Sequence, residues 1–171
     1  RQYKLLSIKP QQFNDIYEAA KVAGLDVETV ISEYAPGQFE LTLKHQSNLL
    51  KSADDIIRLK RIVRAQSRSH GITACFMAKP MENVSGSGMH FHISMYDKKG
   101  INLFSENNKG KINPNLLNAI GGLSQTMGES MLVFAPHANS WRRLVLGSYA
   151  PVRPNWGCLL YTSDAADDTN R

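Results

Sequence analysis

From Met89 onward, the stretch Gly86-Ser87-Gly88-Met89-His90-Phe91-His92-Ile93-Ser94 alternates strictly between apolar and polar side chains. Strand side chains point to opposite faces with period two, so Met89, Phe91 and Ile93 share one face and His90, His92 and Ser94 share the other. Such a stretch predicts a strand with one side packed on a core, fed by a small Gly-Ser-Gly segment. The opposite face then presents two imidazoles and a hydroxyl in a row. Two readings fit that row: a solvated strand face, or donors for a metal and a phosphate.

Composition narrows the classes. At 171 residues the chain fits one domain, and 42% hydrophobic residues suffice for an ordinary core. No apolar run is long enough for a membrane helix, and no secretory signal pattern is present. Cys75 and Cys158 are far apart and in no metal spacing, which points to a reducing, cytoplasmic setting. The formal charge of +5 is scattered along helical stretches. That pattern suits a solvated surface better than nucleic acid, and it is compatible with an anionic substrate such as a nucleotide.

Both ends are unusual. The chain opens at Arg1 and runs at once into Tyr3-Lys4-Leu5-Leu6. Its last segment, from Cys158-Leu159-Leu160-Tyr161-Thr162-Ser163 to Asp168, resembles the translation of a transposon-type sequencing adapter. The expectation is a partial domain over residues 1–157 and a non-native tail over 158–171; the alternative is a genuine acidic tail.

Between the ends, the periodicity predicts a helix from Lys9-Pro10 to about Val22, with Phe13, Ile16, Tyr17 and Ala20 as its core stripe. Val27 to Leu43 reads as two strands joined at Ala35-Pro36-Gly37. That hairpin can bring Glu33 and Glu40 close. Two near carboxylates repel unless a proton or cation lies between them, and hard divalent cations take oxygen ligands of this kind. Two surface glutamates are the other reading.

Ser52-Ala53-Asp54-Asp55 resembles a capping box opening a long helix, with Ile56, Leu59, Ile62 and Val63 buried and His70-Gly71 at its end. Ile72–Met77 is expected as a strand with Cys75 buried, broken by Lys79-Pro80. Asp97-Lys98-Lys99-Gly100 turns the chain into Ile101–Phe104. Asn113-Pro114 starts another helix, whose apolar side is Leu116, Leu117, Ile120, Leu123, Met127 and Met131. Gly121-Gly122 inside that helix suggests close packing. The donor-rich segment Pro136–Pro151, with adjacent Arg142 and Arg143, is expected to be an irregular functional loop.

These parts suit phosphoryl transfer, which depends on carboxylate-held metal and cationic side chains. No G-x-x-x-x-G-K-[ST] loop is present. Four segments, Ser32–Glu40, Phe76–Pro80, Gly86–Ser94 and Asn139–Pro151, together resemble successive signatures of the glutamine synthetase family, in the family's order and spacing. The resemblance implies an α+β fold: a curved, largely antiparallel sheet backed by helices, incomplete here, in a large homo-oligomer with sites between subunits.

It also implies roles. Glu33 and Glu40 resemble ligands of the metal beside the amino acid substrate. His90 resembles the ligand of a second metal at the nucleotide phosphates, and the metals would be Mg2+ or Mn2+. His92 and Ser94 resemble ATP contacts. Gly86 resembles a backbone contact to glutamate. Arg143 resembles the catalytic arginine that binds the substrate carboxylate and steadies the transferred phosphoryl group. The implied reaction uses ATP as a substrate to make γ-glutamyl phosphate, which an amine then attacks.

Ammonia-using members carry Glu where Gly147-Ser148-Tyr149-Ala150-Pro151 has Tyr149, and Asn where this chain has Ser85. Together with the Ser-Glu-Tyr-Ala-Pro-Gly-Gln and Asn-Ser-Trp-Arg-Arg runs, this resembles the γ-glutamylpolyamine (γ-glutamylputrescine) synthetase branch. The expected parent is therefore an ATP-dependent glutamate–amine ligase, with Tyr149 at the amine site and putrescine or another polyamine as the amine. An ammonia-using glutamine synthetase and a non-catalytic structural relative are the alternatives. By the same resemblance, a Glu-x-Glu strand and a β-grasp domain would precede Arg1, and an arginine-rich segment with a last metal-binding Glu would follow Gly157. The truncated chain is accordingly expected to be inactive.

Overall fold

The computed structural model describes residues 10–105, 111–148, 150 and 152. Tyr149, the opening run at Tyr3 and the 158–171 tail lie outside the described residues. The chain divides into two compact units, Arg1–Phe76 and Met77–Arg171.

The first unit begins with α1 (Pro10–Val22). Gly24, at φ 74°, ends it. Leu25 N–H reaches back to the carbonyl of Ala20 (2.9 Å), a helix-terminating bond that needs a left-handed residue between them. Leu25 leads directly into β1 (Val27–Ser32), which pairs antiparallel with β2 (Phe39–Leu43). A bulge between Val27 and Thr29 shifts the register, so that Val27 and Val30 face the core instead of a simple alternation.

The hairpin is followed by α2 (Leu49–Ser69). Its N-cap is Asn48, whose side chain accepts from Lys51 N–H (3.0 Å). The helix thus starts one turn before the Ser52 capping box expected from the sequence, because the Asn48 amide oxygen satisfies that N–H first. It stops at His70 and Gly71 (φ 70°), as anticipated. His70 Nε2 lies 2.8 Å from Asp15 Oδ2, tying the end of α2 to α1.

The core of this unit joins Ile16, Ala20 and Leu25 to Val27, Leu59 and Val63, with Val30, Leu41, Leu43, Ile62 and Ala74 against it. Phe13 and Phe39 add an edge-on ring contact at 4.6 Å. Tyr17, expected in the stripe, is exposed, since the narrow α1 interface is filled by Ile16 and Ala20. Cys75 is exposed as well, because residues 72–77 do not enter a sheet.

In the second unit, a bridge between Tyr96 and Asn102 closes the Asp97–Gly100 turn. Asp97 Oδ1 accepts from Lys99 N–H (2.8 Å) and Ile101 N–H (2.9 Å). Then come α3 (Pro114–Phe134), capped by Asn113, and α4 (Ala138–Trp141). The segment expected as an irregular loop therefore contains one helical turn. Residues 86–94 form no ladder among the described residues, and Met89, Phe91 and Ile93 are exposed. Alternation defines two faces, but a strand also needs a neighbour to take its backbone groups. Likewise α3 buries none of its side chains, and Gly121 and Gly122 meet nothing among the described residues. Architecture is thus α+β: a small antiparallel sheet backed by helices.

Candidate active site

The candidate residues of the first unit lie on the hairpin. Gly37, at φ 75°, makes the turn possible. Gln38 closes it twice: its N–H donates to the carbonyl of Ala35 (2.9 Å), and its Oε1 accepts from Ala35 N–H (3.1 Å). Glu33 N–H donates to the carbonyl of Gln38 (2.9 Å), extending the ladder by one step beyond Ser32↔Phe39 and Ile31↔Glu40. Cross-strand partners face the same side, so Glu33 and Glu40 share a face and stand diagonally, about 7–8 Å apart at the backbone. The structure thus brings these two together as the sequence predicted. Two carboxylates give hard oxygen donors of the type Mg2+ and Mn2+ take. They are a partial set, for no group of three or more His, Cys, Asp or Glu suited to a metal occurs among the described residues.

Beneath the start of α2 lies a feature the sequence reading missed. Asp55 is 3% exposed and accepts from Gln46 Nε2 (3.0 Å) and from Lys51 Nζ. The Lys51 hydrogen bond, against the cost of burial and with help from Gln46, holds its carboxyl below the usual range. Gln46 lies in the short connection between β2 and α2, so Asp55 pins the segment that leaves Glu40's strand. A signal was available: Asp55 precedes Leu59 and Val63 by four and eight positions, on the buried stripe.

The second unit, taken by itself, holds a glycine loop with an arginine against it. A Cβ on Gly86 would run into the carbonyl oxygen of Ala78 and lie 3.0 Å from Arg143 Cγ. A Cβ on Gly88 would lie 2.6 Å from Arg143 Nη2. Both glycines therefore allow the arginine side chain to lie along the loop. Ser87 N–H donates to the Ala78 carbonyl (2.8 Å), and Lys79 Nζ to the Val84 carbonyl (2.6 Å). Lys79 thus serves the loop's own structure. Asn139 Oδ1 accepts from Lys79 N–H (2.8 Å), while its Nδ2 donates to the Lys79 carbonyl (2.8 Å). Gly86 and Arg143, singled out from the sequence, are brought together; Gly88 and Asn139 were missed.

His90 and His92 follow the loop and are exposed, while Ser94 is half-buried. They belong to the second unit, and Glu33 and Glu40 to the first. A guanidinium beside a glycine loop can bind a carboxylate or phosphoryl group through paired N–H donors.

A family model described as glutamine synthetase, catalytic domain, matches residues 4–159. γ-Glutamylputrescine synthetase PuuA of Escherichia coli (strain K12) is 42% identical over 144 residues, covering 84% of this chain and 30% of its own length. A glutamine synthetase of Halobacterium salinarum is 34% identical over 158 residues (89% and 35%). A glutamate–isopropylamine ligase of a Pseudomonas species is 35% identical over 136 residues (79% and 29%). Among solved structures, apo GmaS without ligand matches with a TM-score of 0.71 and 30% identity, over 78% of this chain and 32% of that one. The chain spans about a third of the length of the curated relatives it matches.

Proposed function

The chain belongs to the glutamine synthetase family, as a part of its catalytic domain, and from that premise we propose that its parent protein is an ATP-dependent ligase joining glutamate to an organic amine. The observation that carries this reading is Arg143 lying along the Gly86–Gly88 loop. In this reading the Arg143 guanidinium holds the glutamate carboxylate and then balances charge on the phosphoryl group as it transfers. The Gly86 backbone, unobstructed by a side chain, approaches the same substrate.

A carboxylate is a poor acyl donor. The γ-carboxylate oxygen therefore attacks the terminal phosphorus of ATP, ADP leaves, and the resulting acyl phosphate carries a good leaving group. The amine nitrogen attacks the acyl carbon, phosphate departs, and the amine loses a proton. Glu33 and Glu40 would hold one divalent cation and His90 another, His92 and Ser94 would contact ATP, and the cations would supply charge neutralisation for the phosphoryl transfer.

The amine preference rests on Tyr149. A phenol is neutral at pH 7 and gives ammonium no countercharge, whereas a larger amine can use apolar contact with the ring. Similarity to a γ-glutamylputrescine synthetase and a glutamate–isopropylamine ligase supports that preference, and similarity to glutamine synthetases supports ammonia as the second reading. In this reading the parent is a cytoplasmic homo-oligomer that acts on neither nucleic acid nor membrane. No helix among the described residues is long and apolar enough to cross a membrane.

Residues 1–157 are read as the native part and 158–171 as an adapter-derived tail. Long-read DNA sequencing across the Gly157 codon recovers the parent, and ADP release with glutamate plus putrescine, isopropylamine or ammonia tests the function. Turnover with an organic amine is expected. Turnover with ammonia only would refute the argument from Tyr149, and no ADP release with any of them would refute the ligase.

A further inference from the structure

We infer that Asn139 is a positioning residue, whose side-chain amide fixes the turn carrying Arg143 against the Gly86–Gly88 loop. The inference rests on the reading of Arg143 as the substrate-carboxylate arginine. Lys79 precedes Pro80, and a residue before proline is biased away from helix toward extended backbone. Extended backbone presents the N–H and C=O of one residue side by side, the pattern a neighbouring strand would satisfy. Among the described residues no strand pairs there; the Asn139 amide does, with its oxygen 2.8 Å from Lys79 N and its nitrogen 2.8 Å from Lys79 O. Only an amide side chain supplies an acceptor and donors at that spacing.

The same two residues, Ala78 and Lys79, hold the glycine loop from the other direction, through Ser87 N–H and the Val84 carbonyl. One backbone segment is therefore the common anchor of the loop and the arginine turn. From Asn139 to Arg143 the connection is stiff. Ser140 N–H donates to His137 O (2.9 Å) and Arg143 N–H to Ser140 O (3.1 Å). Ser148 Oγ then shares its proton between the carbonyls of Arg143 (2.7 Å) and Val145 (2.5 Å). Asn139 lies in α4 and Arg143 two residues beyond its end, joined to it by the Arg143 N–H to Ser140 O bond. Releasing the amide frees the turn, and the guanidinium moves off Gly88.

The test uses the full-length protein carrying this chain, as Asn139→Ala, Asn139→Asp, Arg143→Ala and the Asn139→Ala/Arg143→Ala double variant. Phenylglyoxal labelling read by peptide mass spectrometry reports Arg143 directly, with Arg58, whose side chain is 61% exposed, as internal reference. Labelling of Arg143 is expected to rise severalfold in Asn139→Ala. Asn139→Asp keeps the bond from Lys79 N–H and loses the bond to its carbonyl, so it gives a smaller rise and serves if the alanine variant does not fold. Kinetically, Asn139→Ala raises KM for glutamate about tenfold with KM for ATP unchanged, and this effect vanishes in the Arg143→Ala background. Unchanged Arg143 labelling in a folded Asn139 variant overturns the inference, as does an equal glutamate effect in both backgrounds. If Arg143→Ala leaves glutamate kinetics intact, the reading of the site fails instead, and the labelling still judges Asn139 separately.

Discussion

Replacing Gly88 by alanine separates the chemistry of the loop from its stability. Gly88 is outside the left-handed region, so alanine meets no backbone strain there. What it meets is Arg143, with Nη2 at 2.6 Å and Cζ at 3.2 Å from the new methyl carbon. Ordinary contact begins near 3.5 Å, so the guanidinium must withdraw by about 1 Å. It is the far end of a flexible side chain and withdraws cheaply; the lower entropy of the unfolded alanine chain returns about 0.4–1 kcal/mol. Stability should change by less than about 1 kcal/mol, a shift of roughly 2–4 °C in thermal midpoint. A 1 Å misplacement of a positioning group costs about 10²-fold in rate, or ~2.7 kcal/mol of transition-state stabilisation. ADP release by the full-length Gly88→Ala protein should therefore fall about 100-fold in kcat/KM for glutamate, with a nearly unchanged melt. Gly86→Ala should do the opposite first. Its methyl meets the Ala78 carbonyl, which is backbone and already accepts from Ser87 N–H, so the loop must open at a cost of about 1–3 kcal/mol. Wild-type glutamate kinetics in Gly88→Ala, or an equal loss of stability in both variants, would refute this account.

Glu40→Gln should weaken Mn2+ binding to the full-length protein, measured by calorimetric titration, by at least about 10–100-fold. Asp55→Ala should cost about 1.5–3 kcal/mol at neutral pH, nearer the lower end because the Lys51 side chain is 51% exposed. The Asp55 carboxyl is held below its usual range when folded. Its stabilisation is thus complete above the unfolded pKa of about 3.9 and disappears as pH falls through the lower folded value. Urea melts of the two proteins should converge there. Tyr149→Glu should raise turnover with ammonia relative to putrescine by about tenfold, ~1.4 kcal/mol.

The parts legible in the sequence were those fixed locally. α1, the hairpin, the C-terminal end of α2 and the Asn113 cap follow from Pro, Gly and Asn at positions where each has a backbone reason to be. The shared face of Glu33 and Glu40 followed from strand period and turn length, and it held even though the Val27/Thr29 bulge changed which β1 residues face the core. Residues 72–77 and 86–94 were misjudged because a strand is a property of two segments, and their alternation says nothing about a neighbour. Cys75 is exposed and the apolar side of α3 is at most half-buried for the same reason: burial depends on what is opposite. Asn139 escaped notice because its partner is the backbone of a residue sixty positions away, and side-chain-to-backbone bonds at that range leave no periodic trace.

The hairpin turn closed by Gln38 sets a rule about length. Between Glu33 and Glu40 every residue is committed: a rung at Ser32↔Phe39, a rung through Glu33 and Gln38, and a turn that needs Gly37. Inserting or deleting a single residue would slip β2 by one and send Glu40 to the opposite face, away from Glu33. Variation in this segment should therefore take the form of exchanged residues and almost never of gaps, and a grafted hairpin would keep its two carboxylates together only if the six residues between them were copied in number.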